Sequence, residues 1–196
     1  MITGLANVIA DFFVEKSIIN TNEREIYVYG CEAILSALTN LLIVIFSGLL
    51  TNEVFNMLVF YIVFLIMRKY CGGYHAKTHL RCNMIFALNI WTVLLLIKNI
   101  PVINTTFFIT AIIISNILVF CLAPIENENK PIEDSEICKY RKISIIFSLV
   151  FTVIAVLLTP FYKTVSIIIT LALLSVSFAM LAARLMKEVE VKKHED

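Results

Sequence analysis

Between Arg68 and Cys82 the chain reads RKYCGGYHAKTHLRC, which brings together two cysteines, two histidines, four cations and a Gly-Gly pair. Cysteine and histidine in one short stretch are the parts of a nucleophilic acyl-transfer site. A thiolate attacks a carbonyl, and an imidazole first takes the thiol proton and later returns it to the leaving group. His75 and Cys82 are the pair at issue. On one straight helix their seven-residue spacing gives a shared face but a separation of about 10.5 Å. That is beyond direct proton transfer, so the chain must bend between spans if the pair is to work. Gly72 and Gly73 supply the freedom for a bend. Cys82 also stands just before an apolar run, where a helix N-terminus and the adjacent Arg81 favour its thiolate. Cys71 is a rival nucleophile, four residues from His75 and beside Arg68 and Lys69. Cys71, His75, His79 and Cys82 also have ligand types and spacing that a zinc ion accepts on a bent helix. The central glycines weaken that helix, and no metal or cofactor is assigned. Read blandly, a free cysteine near lipid is a small hydrophobe and a loop histidine is a solvated one. Lone cations at such a place fix topology and touch anionic headgroups.

The elements that must hold this stretch are hydrocarbon. The chain has 196 residues and is 60% hydrophobic, against about 45–50% in an ordinary soluble domain. That surplus cannot all enter one core, so lipid must solvate part of it. The expected fold is all-α: a polytopic membrane protein with six transmembrane helices and an N-terminal amphipathic interfacial helix, in one integral membrane domain spanning residues 1–196. The apolar segments run about Cys31–Leu50, Val54–Met67, Met84–Ile97, Thr106–Ala123, Ile143–Thr159 and Val165–Met186. The second and third are short, so either their helices continue into the 68–83 segment or the bilayer thins there. Residues 1–22 form the amphipathic arm: Ile2, Leu5, Val8, Ile9, Phe12, Phe13 and Ile19 recur at helical spacing, with Asn7, Asp11, Glu15 and Lys16 between them. The arm lies in the headgroup plane or packs on the protein's own surface, and the pattern alone does not choose. With Asp11 and Glu15 and no basic leader it does not read as a signal peptide. Asn22, with Glu25 three residues on, is the expected cap of the first span.

Cations set the orientation. Of the 16 Lys and Arg residues, 14 fall on the side that receives the N-terminal arm, the 68–83 segment, the 124–142 loop and the C-terminal end. Only Lys98 and Lys163 fall on the other. The positive-inside rule puts the crowded side in the cytosol, at a cell membrane. Cys71, Cys82 and Cys138 then meet a reducing compartment, and the odd count of five cysteines argues against a disulfide framework. Nucleic acid is not an expected partner. A homodimer is an expectation for which the sequence identifies no interface.

RKYCGGYHAKTHLRC, followed by a span and then by LAPIENENKPI (Leu122–Ile132), resembles the accessory gene regulator protein B family, and the likeness extends to length, amphipathic arm and six spans. These are membrane endopeptidases of bacterial quorum sensing. The resemblance implies a precursor peptide partner, AgrD, with an amphipathic leader, a central signal segment and an acidic tail. It implies His75 as general base and Cys82 as nucleophile. Arg68 and Gly73 match motif positions tied to activity, Gly72 supports the bend, and Cys71 and His79 receive no role. It further implies a thioester on Cys82 that an internal cysteine of the precursor turns into a thiolactone. Lys69, Lys77, Arg81, Lys130, Lys139, Arg141 and Lys142 are the cations expected to guide the acidic tail. A peptide exporter and a zinc-dependent membrane hydrolase are the alternative readings.

Overall fold

The computed structural model describes residues 2–73, 79–98, 105–125 and 134–195. The chain is all-α, with α1 (Ile2–Glu15), a 3-10 turn (Thr21–Glu23), α2 (Arg24–Thr51), α3 (Val54–Cys71), α4 (His79–Lys98), α5 (Thr105–Leu122), α6 (Asp134–Leu158) and α7 (Lys163–Glu195). α2 to α7 are each long and apolar enough to cross a bilayer, which makes this a multi-pass membrane protein. The six spans alternate in direction. α1, the α3–α4 connection, the α5–α6 connection and the end of α7 therefore share one end of the bundle, called here the motif end.

The two short apolar segments are lengthened from the polar stretch itself. α3 runs on through Arg68–Cys71, and α4 begins at His79. Their 18 and 20 residues then reach about 27 and 30 Å, close to the roughly 30 Å hydrocarbon core. The segment read as one unit over 68–83 is thus the last turn of α3, the Gly72–Gly73 bend, residues outside the described set, and the first turn of α4.

α7 is the centre. It packs on α3, α5, α6 and α4, and Ile168, Ala172, Leu173, Val176 and Met180 are fully enclosed. Lipid tails offer a leucine as good a solvent as another helix does. What draws spans together is close packing and interhelical hydrogen bonds. The contact residues fit that rule: Ser115 of α5, Ser144, Ser148 and Ala155 of α6, and Ser166, Thr170 and Ser177 of α7 are all buried. Ser177 Oγ donates to the Ser115 carbonyl at 3.2 Å, and Ser166 Oγ to the Ala155 carbonyl at 2.6 Å. Asn116 Nδ2 donates to Thr152 Oγ1 and receives Ser148 Oγ on its Oδ1, both at 2.9 Å, pinning α5 to α6. Large side chains such as Leu42, Phe46, Ile117, Leu149, Val153 and Leu157 are exposed and face lipid.

The arm's two alternatives turn out to be compatible. α1 packs along the start of α2 with Ala6 and Ala10 fully buried, while Leu5, Val8 and Phe12 stay more than half exposed for the membrane surface. Arg24 fastens it, with Nε on Asp11 Oδ1 at 2.7 Å and Nη2 on Asn7 Oδ1 at 2.8 Å. The cap differs from expectation. The Asn20 backbone N–H donates to Glu23 Oε2 at 3.1 Å, so a 3-10 turn is capped two residues before Asn22 and leads into α2.

The Arg24 hydrogen bond and charge hold the Asp11 carboxyl below its ordinary value. A carboxyl lowered in the folded state contributes above its free value, near 3.9, and loses that contribution as pH falls through the lower one. α1 should therefore stay docked from neutral pH down to about pH 4 and loosen only below it. Asp11→Asn should loosen it already at pH 7. Amide exchange across residues 2–15 checks this, and loosening of the wild type near pH 6 would contradict it.

Candidate functional site

α3 ends where a side chain becomes an obstacle. The Gly72 N–H still bonds to the Arg68 carbonyl at 3.2 Å, but Gly72 has φ +72° and ψ −146°, and Gly73 has φ +126°. L-residues rarely enter that region. Space gives a second reason for both glycines. A Cβ on Gly72 would strike the Ile125 carbonyl oxygen, and one on Gly73 would strike the Arg68 guanidinium and crowd the backbone of Ala179 in α7. The turn is thus pressed between the α5–α6 connection, α7 and its own helix.

Two contacts lock it. Arg68 folds back and donates from Nη1 to the Gly72 carbonyl at 2.9 Å, satisfying a carbonyl left over at the helix end. From the other side Ile125 donates its N–H to the Cys71 carbonyl at 2.9 Å, forming an isolated bridge between Gly72 and Ile125. Ile125 belongs to LAPIENENKPI, so the two motifs meet at this turn. Sequence reasoning had only their order and gave Ile125 no part.

The cysteines separate by burial. Cys71 is fully buried, in the core cluster that also holds Met67, where no peptide can reach it. Cys82 is half-buried in the first turn of α4, at the positive end of the helix dipole. The Arg68 guanidinium lies within electrostatic range of both sulfurs. Asn83 beside Cys82 is buried, and its Oδ1 accepts Ser36 Oγ of α2 at 3.4 Å, which ties the start of α4 to the bundle. Arg68, Gly72, Gly73 and Cys82 are therefore gathered in one neighbourhood. His75, Lys77 and Lys130 lie outside the described residues, as does the side chain of His79. Among the described residues no three of His, Cys, Asp or Glu cluster as metal ligands do.

The remaining described cations lie at the surface. Lys69 and Arg81 are exposed, with Lys69 Nζ over the Tyr70 ring at 5.3 Å. Tyr70 stacks on Phe147 and touches Tyr140, joining the last turn of α3 to α6. Lys139, Arg141 and Lys142 are exposed on α6, and Arg141 sits over Phe120, itself 59% exposed on the lipid side. Arg184 and Lys187 of α7, which the sequence offered only as topology charges, instead line a cleft with Ile125.

The family model for accessory gene regulator B matches residues 6–181. The chain belongs to the accessory gene regulator B family. An AgrB-like protein of Clostridium beijerinckii is 31% identical over 145 residues, covering 74% of this chain and 71% of that one. AgrB-like proteins of two Clostridium perfringens strains, SM101 and 13, are 27% and 28% identical over 148 residues, covering 72% of this chain and 69% of theirs. No solved structure matches. Membership in the accessory gene regulator B family connects the chain with the agr quorum-sensing system and with peptide processing.

Proposed function

We propose that the chain is a membrane cysteine endopeptidase that cuts the acidic tail from an AgrD-like precursor and delivers the remainder as a cyclic thiolactone. The observation that carries this reading is the contrast between the motif's two sulfurs: Cys82 is half-buried at a helix N-terminus, while Cys71 is sealed. His75, in the stretch between the Gly73 bend and α4, takes the Cys82 proton. The thiolate attacks the carbonyl carbon joining signal segment to tail. The C–N bond breaks, the tail leaves as an amine that receives the proton from His75, and the signal segment remains as a thioester on Cys82. A thiol within the same segment then attacks that thioester, expels the Cys82 thiolate and closes the ring. Exchange of one thioester for another keeps the activation that hydrolysis would discard, so water must be kept away until closure. Attack from within one chain supplies the effective concentration.

The positive-inside rule supports an orientation with the motif end and both termini on the cytosolic side of a cell membrane. The precursor's amphipathic leader meets the enzyme in the membrane plane, where α1 also presents Leu5, Val8 and Phe12. Lys69, Lys77, Arg81, Lys130, Lys139, Arg141 and Lys142 contribute a positive field that steers the acidic tail.

The test is to mix the purified protein in lipid nanodiscs with the precursor encoded beside its gene and weigh the products. A free tail and a signal segment lighter than its linear form by one water are expected. Absence of cleavage, or cleavage that survives thiol alkylation, would overturn the reading.

A further inference from the structure

The motif end holds a cleft of about 280 Å3 lined by Leu122, Pro124, Ile125, Ile137, Arg184 and Lys187. Small-ligand pockets start at about 300 Å3, so this one takes a side chain or two of a longer chain running over the surface. Four of its walls are apolar and two are cations one turn apart on α7. Among the described residues no carboxylate lines it. We propose that this cleft seats the acidic segment of the peptide substrate, with Arg184 and Lys187 pairing its carboxylates and the apolar walls taking neighbouring side chains. The proposal rests on the peptide-processing reading above and gives it a binding site.

Three observations converge on this assignment. The cleft is continuous with the motif turn, because Ile125 forms one of its walls and also bonds to the Cys71 carbonyl. The same turn carries Arg68, whose Nη1 donates to the Gly72 carbonyl at 2.9 Å, so the cleft adjoins the part of the motif that precedes His75 and Cys82 in the chain. The Arg184 head already binds a carboxylate: its Nε meets Glu188 Oε1 at 3.0 Å, in an i,i+4 pair with both side chains more than half exposed. Exposed pairs of this kind are weak and exchange readily, so an incoming carboxylate can take the place of Glu188. An anionic headgroup offers similar charge, but the cation set against an exposed apolar ring is Arg141 of α6, over Phe120, with Lys139 and Lys142 exposed on the same helix. Those three lie outside the cleft lining, whereas Arg184 and Lys187 flank an apolar recess next to the motif.

The test is a binding measurement on the full chain in nanodiscs of neutral lipid. The probe is a short fluorescein-labelled peptide of alternating leucine and glutamate, with its leucine–glutamine counterpart as control. Arg184→Glu combined with Lys187→Glu should weaken the glutamate peptide on the order of tenfold or more and leave the glutamine peptide unchanged. Glu188→Gln, which removes the resident carboxylate, should tighten the glutamate peptide. Both replaced cations are exposed, so folding is retained, and a thermal melt verifies it. Equal binding of the glutamate peptide by wild type and double variant would overturn the proposal. So would equal losses for both peptides. A loss that emerges only when phosphatidylglycerol is added would reassign the cleft to lipid. Because no bond is cut here, binding without cleavage counts against the enzymatic reading alone, and cleavage without this binding counts against the cleft alone.

Discussion

Cys82→Ala should abolish tail release, with turnover falling by at least about ten-thousandfold, as removal of a covalent nucleophile does elsewhere. Cys71→Ala should leave turnover within about twofold and lower stability by about 1 kcal/mol, the cost of a small cavity. The asymmetry follows from burial: Cys71 is enclosed by the core and Cys82 is half-open at the start of α4. Both sulfurs lie in range of Arg68, so nearness to a cation does not distinguish them. His75→Ala should cost about 10²–10⁴-fold, the usual range for a lost general base, and should be partly relieved at alkaline pH, where the thiol ionises unaided. Mass spectrometry of precursor and tail over time measures all three. The discriminating variant is Cys71→Ala: a loss as deep as that of Cys82→Ala would mean that the nucleophile has been misassigned.

The six spans were legible because a bilayer demands long apolar runs, and the chain has six. Their ends were less so. A hydropathy window stops at Arg68 and restarts at Met84, yet the helices run on through Cys71 and from His79, since a backbone needs no hydrocarbon once it reaches the headgroups. The centrality of α7 was hidden for a related reason. Leu and Ile look alike facing lipid or facing protein, and what distinguishes α7 is the serines and threonine at its contacts, residues that no periodicity count favours. At the site, the bend at Gly72–Gly73 and the place of Cys82 at a helix start follow from local chemistry. The bridge from Ile125 to Cys71, more than 50 residues apart in sequence, does not, and neither does the recruitment of Arg184 and Lys187 beside it. Those are tertiary contacts between segments whose own patterns are those of an ordinary loop and an ordinary helix end.

Gly73→Ala should lower cleavage by about a hundredfold while the protein still inserts and folds, because the added methyl lands on the Arg68 guanidinium and displaces it from the Gly72 carbonyl and the Cys82 neighbourhood. A misplacement of about 1 Å has a cost of that order where geometry governs the rate. Gly72→Ala should be worse for folding. Positive φ strains both variants by about 1–3 kcal/mol, but the Gly72 Cβ meets the rigid carbonyl of Ile125, whereas the hardest clash of the Gly73 Cβ is with the movable Arg68 side chain. A double-mutant cycle separates this account from general damage. If Gly73→Ala acts by moving Arg68, then Gly73→Ala in an Arg68→Ala background has no guanidinium left to displace. The pair should then be no slower than Arg68→Ala alone, to within about threefold. Multiplying losses, measured as kcat/KM on the same precursor, would mean that Gly73 serves something other than the seat of Arg68. A thermal melt of each variant keeps the two contributions apart: Gly72→Ala should appear first in the melt and Gly73→Ala first in the rate.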